Sequence, residues 1–164
     1  MPTPTYTLID SVTLGSSASS VTFSSISATG KGDLVLVVNK PSGDYRTSLR
    51  FNGDSGTNYS GVSMQGDGST TVSYSDSAQS YIWSPLFNSG GNKASITIFQ
   101  IQDFAATNKH KAVLSRNNIA TVRASAEAWR WANTAAITSL DTGGYFAGSL
   151  PVGTTVHLYQ IVSE

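Results

Sequence analysis

Along the whole chain, short stretches in which apolar and polar residues alternate are closed by Gly, Asn, Asp or Pro. A period of two sends successive side chains to opposite faces of an extended strand, so the repeating unit is strand plus turn. Tyr45, Thr47, Leu49 and Phe51 share one face and Arg46, Ser48 and Arg50 the other; Ser95, Thr97, Phe99 and Ile101 alternate with Ile96, Ile98 and Gln100. Composition points the same way. Ser and Thr number 44 of 164 residues, Gly 15, and Glu occurs only at 127 and 164, a profile that favours strands and turns over helices.

Eight to ten strands are expected. The first, from Tyr6 to Leu14, loses its alternation at Ile9-Asp10, where a bulge fits. Leu34 to Val38 is a continuous apolar run and reads as a central strand covered on both faces. From Arg50 to Lys93 there is no Lys or Arg, and this Ser/Gly-rich stretch reads as long loops with short hairpins at one end of the domain. Lys111–Arg116, Thr121–Asn133, Ala136–Leu140 and Val156–Ile161 supply the later strands. A helix over 121–132 is the alternative for the Ala-rich segment; its period-two pattern favours strand. So many strands in one domain imply an all-β, single-domain antiparallel β-sandwich of jelly-roll-like form over residues 6–164. Pro2, Thr3, Pro4 and Thr5 precede it as an extended arm (residues 1–5), because each Pro biases its neighbour away from helix.

Charge and chemistry narrow the function. Ten basic and ten acidic residues leave no net charge, which removes the electrostatic drive for general nucleic-acid binding. No apolar run approaches a membrane span, and Met1 to Tyr6 lacks the basic start and apolar stretch of a signal peptide. With no Cys, thiolate nucleophiles and Cys-ligated zinc are excluded. His110 lies between two lysines, His157 lies in the last strand, and no Gly-x-Ser-x-Gly elbow is present. The acids fall mainly at turns, where Asx hydrogen bonds explain them. Asn52, Asp54 and Asn58 begin like a calcium loop, but Ser63 stands where the closing Glu would be, so the expectation is a tight turn at Asn52-Gly53 and no metal or other cofactor. The chain reads as a non-enzyme. Trp129 and Trp131 share a strand face with Arg123 and Glu127, and a mixed charged and aromatic face reads as a subunit interface ahead of a glycan platform, the bland alternative being core.

Several segments carry a family resemblance: Leu8-Ile9-Asp10-Ser11-Val12-Thr13-Leu14, Val21-Thr22-Phe23-Ser24-Ser25-Ile26, Asp33 to Val37, Phe51-Asn52-Gly53-Asp54 through Asn58-Tyr59-Ser60, and the ending Ala136 to Leu140, Phe146-Ala147-Gly148-Ser149 and Leu158-Tyr159-Gln160-Ile161. Together they resemble small β-sandwich structural proteins of tailed bacteriophages, notably cyanophages. Gln160 stands where that family more often has Gly. The resemblance implies a virion protein, either a capsid cement (decoration) protein or a tail-associated one. A single compact domain with no stalk fits the cement class, on the capsid surface, with the major capsid protein as partner. With the Trp face, the resemblance leads to an expected homotrimer, and the Pro2–Thr5 arm is expected to touch the capsid. The rival is a tail-associated protein that recognises host surface glycans.

Overall fold

The computed structural model describes residues 5–27, 32–43, 46–84, 93–144 and 148–162. Among them there is no helix. Twelve strands follow in order: β1 (Tyr6–Thr13), β2 (Ser20–Phe23), β3 (Gly32–Lys40), β4 (Thr47–Phe51), β5 (Tyr59–Gly66), β6 (Thr71–Gln79), β7 (Ile82–Trp83), β8 (Ser95–Ile101), β9 (Lys111–Ile119), β10 (Arg123–Trp131), β11 (Leu140–Gly144) and β12 (Thr155–Val162). They form an eight-stranded sheet, β1-β12-β3-β8-β9-β10-β5-β6, and a four-stranded sheet, β2-β11-β4-β7. Every pairing is antiparallel.

Setting aside the hairpins β5-β6 and β9-β10 leaves eight strands in which first pairs with last, second with seventh, third with sixth and fourth with fifth. That is one long hairpin. Rolling it up adds the pairs β12-β3 and β11-β4 and splits it into two four-stranded sheets. The result is the jelly-roll order. The fold is therefore an all-β antiparallel sandwich, as the alternation implies. The two extra hairpins both join one side of the larger sheet and double its width. Between the sheets lie Leu34, Leu36 and Val38 of β3, Phe99 and Ile101 of β8, and Val156 and Leu158 of β12, against Val21 and Phe23 of β2, Leu49 and Phe51 of β4, and Leu140 of β11.

Of four local expectations, one holds and three change. The β1 bulge is present, between Leu8 and Asp10. The run at 34–38 is covered on one face only: Leu34, Leu36 and Val38 are buried, whereas Val35 and Val37 are half-exposed on a face with no second layer described over it. The stretch expected to be long loops with short hairpins contains β5 and β6, a longer and regular hairpin at the edge of the large sheet. Its core-side positions Ser63 and Gln65 are polar, so the pattern lacks the apolar beat of a strand. Ala136–Ser139 is no strand. It runs extended because the Asn52 side chain holds it: Nδ2 donates to Ala136 O at 2.8 Å, and Oδ1 accepts from Thr138 N at 2.9 Å and Ser139 N at 3.1 Å.

Candidate functional site

On β10, Arg123, Ser125, Glu127, Trp129 and Trp131 share one face, as the alternation requires, and Ala124, Ala126, Ala128 and Arg130 the other. The structure turns the first face inward. Trp129 is 3% exposed, Trp131 0% and Glu127 4%, with Arg123 half-buried. The candidate interface of Arg123, Glu127, Trp129 and Trp131 is thus an interior face of the single chain. Trp129 packs edge-on against Trp83 of β7 at 5.6 Å, and Trp131 against Phe51 of β4 at 5.4 Å, so these indoles join the added hairpins to the small sheet. Gly61 makes room: a Cβ there would collide with the Trp129 ring. Of the candidate arm, Pro2, Thr3 and Pro4 lie outside the described residues, and Thr5 is exposed.

The Asn52–Ser60 block is a structural clamp. Asn52 and Gly53, with φ of 51° and 66°, are the left-handed residues of a tight turn closed by Asp54 N donating to Phe51 O at 2.8 Å. This turn carries the chain from the small sheet to the large one. The Asp54 carboxylate accepts from Trp131 Nε1 at 2.7 Å, Asn58 Nδ2 at 2.9 Å and Gly56 N at 2.9 Å. Desolvation pushes its pKa up, but the hydrogen bonds from Trp131, Asn58 and Gly56 outweigh it and hold the carboxyl below the usual Asp range. Asn52 and Asp54, two of the three oxygen donors that suggested a calcium loop, are thus committed to the chain itself. Among the described residues no group of three or more His, Cys, Asp or Glu could hold a metal ion. Asp67 is an Asx turn of the expected kind: bonds from Thr70 N and Ser69 lower its pKa to about 2.

Further along the inner face the lining turns polar. Ser63 and Gln65 of β5, Ser115 and Asn117 of β9, and Ser125 and Glu127 of β10 are buried in two cross-strand rows. The Ser115 hydroxyl donates to Glu127 Oε2, while Oε1 has no partner among the described residues. Burial pushes the Glu127 carboxyl above its usual range, against the pull of the Ser115 hydroxyl. Lys111, fully buried, ends the same face. Its ammonium donates to the carbonyls of Ala106 at 2.6 Å and of Lys109 and Thr134 at 3.3 Å.

The opposite, outer face of the eight-stranded sheet is the unusual surface. Nine large apolar side chains are exposed among the described residues, and six of them, Tyr6, Leu8, Val62, Met64, Ile96 and Leu114, stand on this one face. Val62 is 56% exposed, Met64 57% and Leu114 48%. Because Ala126 and Ala128 are short, β10 forms the floor of a groove walled by Leu114 on one side and Val62 and Met64 on the other. A second groove runs on past Val35, Ile98 and Ile161 to Tyr6. Taken alone, the mixed face of β10 reads as a subunit interface, which would leave its Ala side to pack inward. The usable signal was one strand away, where Val62 and Met64 share the Ala side in the pairing register. His157 stands on this face beside Tyr159, and His110 is exposed in the loop before β9.

No protein-family model matches the chain, and no curated protein or solved structure matches it.

Proposed function

We propose that this chain is a non-enzymatic structural protein of a virion, of the capsid cement class, that joins the assembled shell through protein–protein contacts with the major capsid protein. The observation that carries the reading is the outer face of the eight-stranded sheet. Six exposed large apolar side chains gathered on one sheet face mark an interaction site, and protein is the partner this reading assigns to it. The jelly-roll order serves viral capsid and lectin domains alike, so the choice between them rests on the surface. Trp83, Trp129 and Trp131, the rings best suited to stack on a sugar, are all buried. The segments that resemble phage sandwich proteins add the specific class.

A decoration protein acts by mass action. It binds the assembled lattice and not the free subunit, so it shifts the assembly equilibrium by its differential affinity. The Pro2–Thr5 arm is the proposed shell contact, since an uncharged Pro-containing segment loses little freedom when it is laid down. Mixing the protein with undecorated shells and counting bound copies tests the reading. Saturable occupancy, weakened by deleting residues 2–5, is expected. Saturable binding to host-surface glycans with none to shells would overturn it.

A further inference from the structure

We propose that the outer face of the eight-stranded sheet is covered by the same face of a second copy, in a two-fold dimer whose axis runs along the strands between β8 and β9. The proposal rests on the reading above only in taking this face as a protein interface; it gives the face to a second copy and leaves the shell contact to the Pro2–Thr5 arm. Such an axis reverses the strand order across the interface. β9 lies over the partner's β8, β10 over its β3, β5 over its β12, and β6 over its β1.

That arrangement sets low strands against tall ones. The β1-β12 side of the face is bulky, with Tyr6, Leu8, Tyr159 and Ile161, whereas β10 and β6 are low, with Ala126, Ala128, Ser73 and Ser75, and only Val62 and Met64 of β5 stand up between them. Along the cross-strand row of Leu8, Tyr159, Val35, Gln100, Leu114, Ala128, Val62 and Ser75, Leu114 meets the partner's Gln100 beside the axis, Ala128 receives the partner's Val35, Val62 meets the partner's Tyr159, and Ser75 meets the partner's Leu8. In the next row Ala126 receives the partner's Val37. An axis across the strands would instead lay each strand on its own copy, the low β10 on β10 and the bulky β1 on β1, leaving a gap at one side and a clash at the other.

Charge matches as well. Gln102 N donates to Ala112 O at 3.0 Å, which puts Asp33 of β3 and Arg130 of β10 in one row, together with Ile161 and Ser60. The same axis therefore sets Arg130 opposite the partner's Asp33, twice per dimer. Arg130 is exposed and has no ion pair among the described residues, and the Asp33 carboxylate is already oriented by Gln100 Nε2 at 2.9 Å and Asp103 N at 3.0 Å. Arg116 meets the partner's Ile98, along which its aliphatic stem can lie. Size is sufficient: eight strands at about 4.8 Å spacing, each about 23 Å long, make a face of roughly 900 Å², against about 800 Å² per partner in a stable complex.

Sedimentation equilibrium of the full chain at micromolar concentration, with circular dichroism as the folding control, tests this. Wild type is expected to be a dimer. Ala128→Arg, an exposed position, should stay folded and weaken the dimer at least about thirtyfold, as loss of a central contact does. Arg130→Glu should weaken it too, and adding Asp33→Lys should restore it; if Asp33→Lys impairs folding, Ala128→Arg decides. A wild-type monomer at about 100 µM, a trimer, or an unchanged dimer in Ala128→Arg would overturn the proposal. Monomers that still decorate shells would overturn the dimer alone, and dimers that ignore shells the cement reading alone.

Discussion

Replacing Asp54 by Ala should cost about 1–3 kcal/mol, and the reason lies in one indole. Trp131 is fully buried, and its Nε1 donates at 2.7 Å to the Asp54 carboxylate. Removing the acceptor strands a desolvated donor, which costs about 1–3 kcal/mol. The lost bonds from Asn58 and Gly56 add little, because Gly56 is exposed and Asn58 half-exposed, so that water can replace the carboxylate. Urea unfolding followed by tryptophan fluorescence reads the change as a lower midpoint at constant slope. Trp131→Phe removes the same donor, so Asp54→Ala in that background should cost at least about 1 kcal/mol less than it does alone. The pH dependence has a defined sign. A carboxyl whose folded pKa lies below its unfolded value stabilises fully above the unfolded value and loses that contribution as pH falls through the folded one. Wild type and Asp54→Ala should therefore converge in acid. A cost under about 0.5 kcal/mol at pH 7, or strict additivity with Trp131→Phe, would refute the clamp.

Other perturbations probe the rest of the account. Glu127→Gln should stabilise the fold by about 1 kcal/mol at pH 7, because it removes a charge from a buried oxygen that lacks a partner. A raised carboxyl pKa makes stability fall as pH rises through the folded value, so the gain should vanish at pH 4 in parallel urea titrations. Gly61→Ala forces a methyl into the Trp129 ring and should cost about 1–3 kcal/mol, with a shift in near-ultraviolet circular dichroism. Burial lowers the Lys40 pKa to about 8, so the unfolded chain holds more protons above that, and stability should rise by up to about 3 kcal/mol between pH 8 and 10.5. Tyr59, raised by burial to about 12, reverses the trend above pH 10; Lys40→Met should flatten the rise in denaturant titrations across this range.

The fold class was legible because each strand carries its own period, and period is a local property. The pairing was not. First-with-last and second-with-seventh contacts join residues more than a hundred positions apart, and nothing in β1 names β12. The inward direction of a face was illegible for a related reason. On β10 the mixed face of Arg123, Glu127 and the two Trps turns inward because its register with Tyr59 and Val113 aims it at the small sheet. Taken alone, the Ala side looks like the packed one. The Asn52-Gly53 turn was readable, because few residue pairs accept two left-handed conformations. Its clamp on 136–139 was not, since side-chain bonds across more than eighty residues leave no mark on either segment.

Hydroxyl-radical footprinting of Met64 and Tyr6 tests most directly whether the outer face of the large sheet is covered by protein. Both side chains are exposed in the single chain, Met64 at 57% and Tyr6 at 60%. Fast oxidation is expected at high dilution and in Ala128→Arg, with protection that grows with concentration and persists on decorated shells. Equal oxidation of Met64 and Tyr6 under all of these conditions would contradict it.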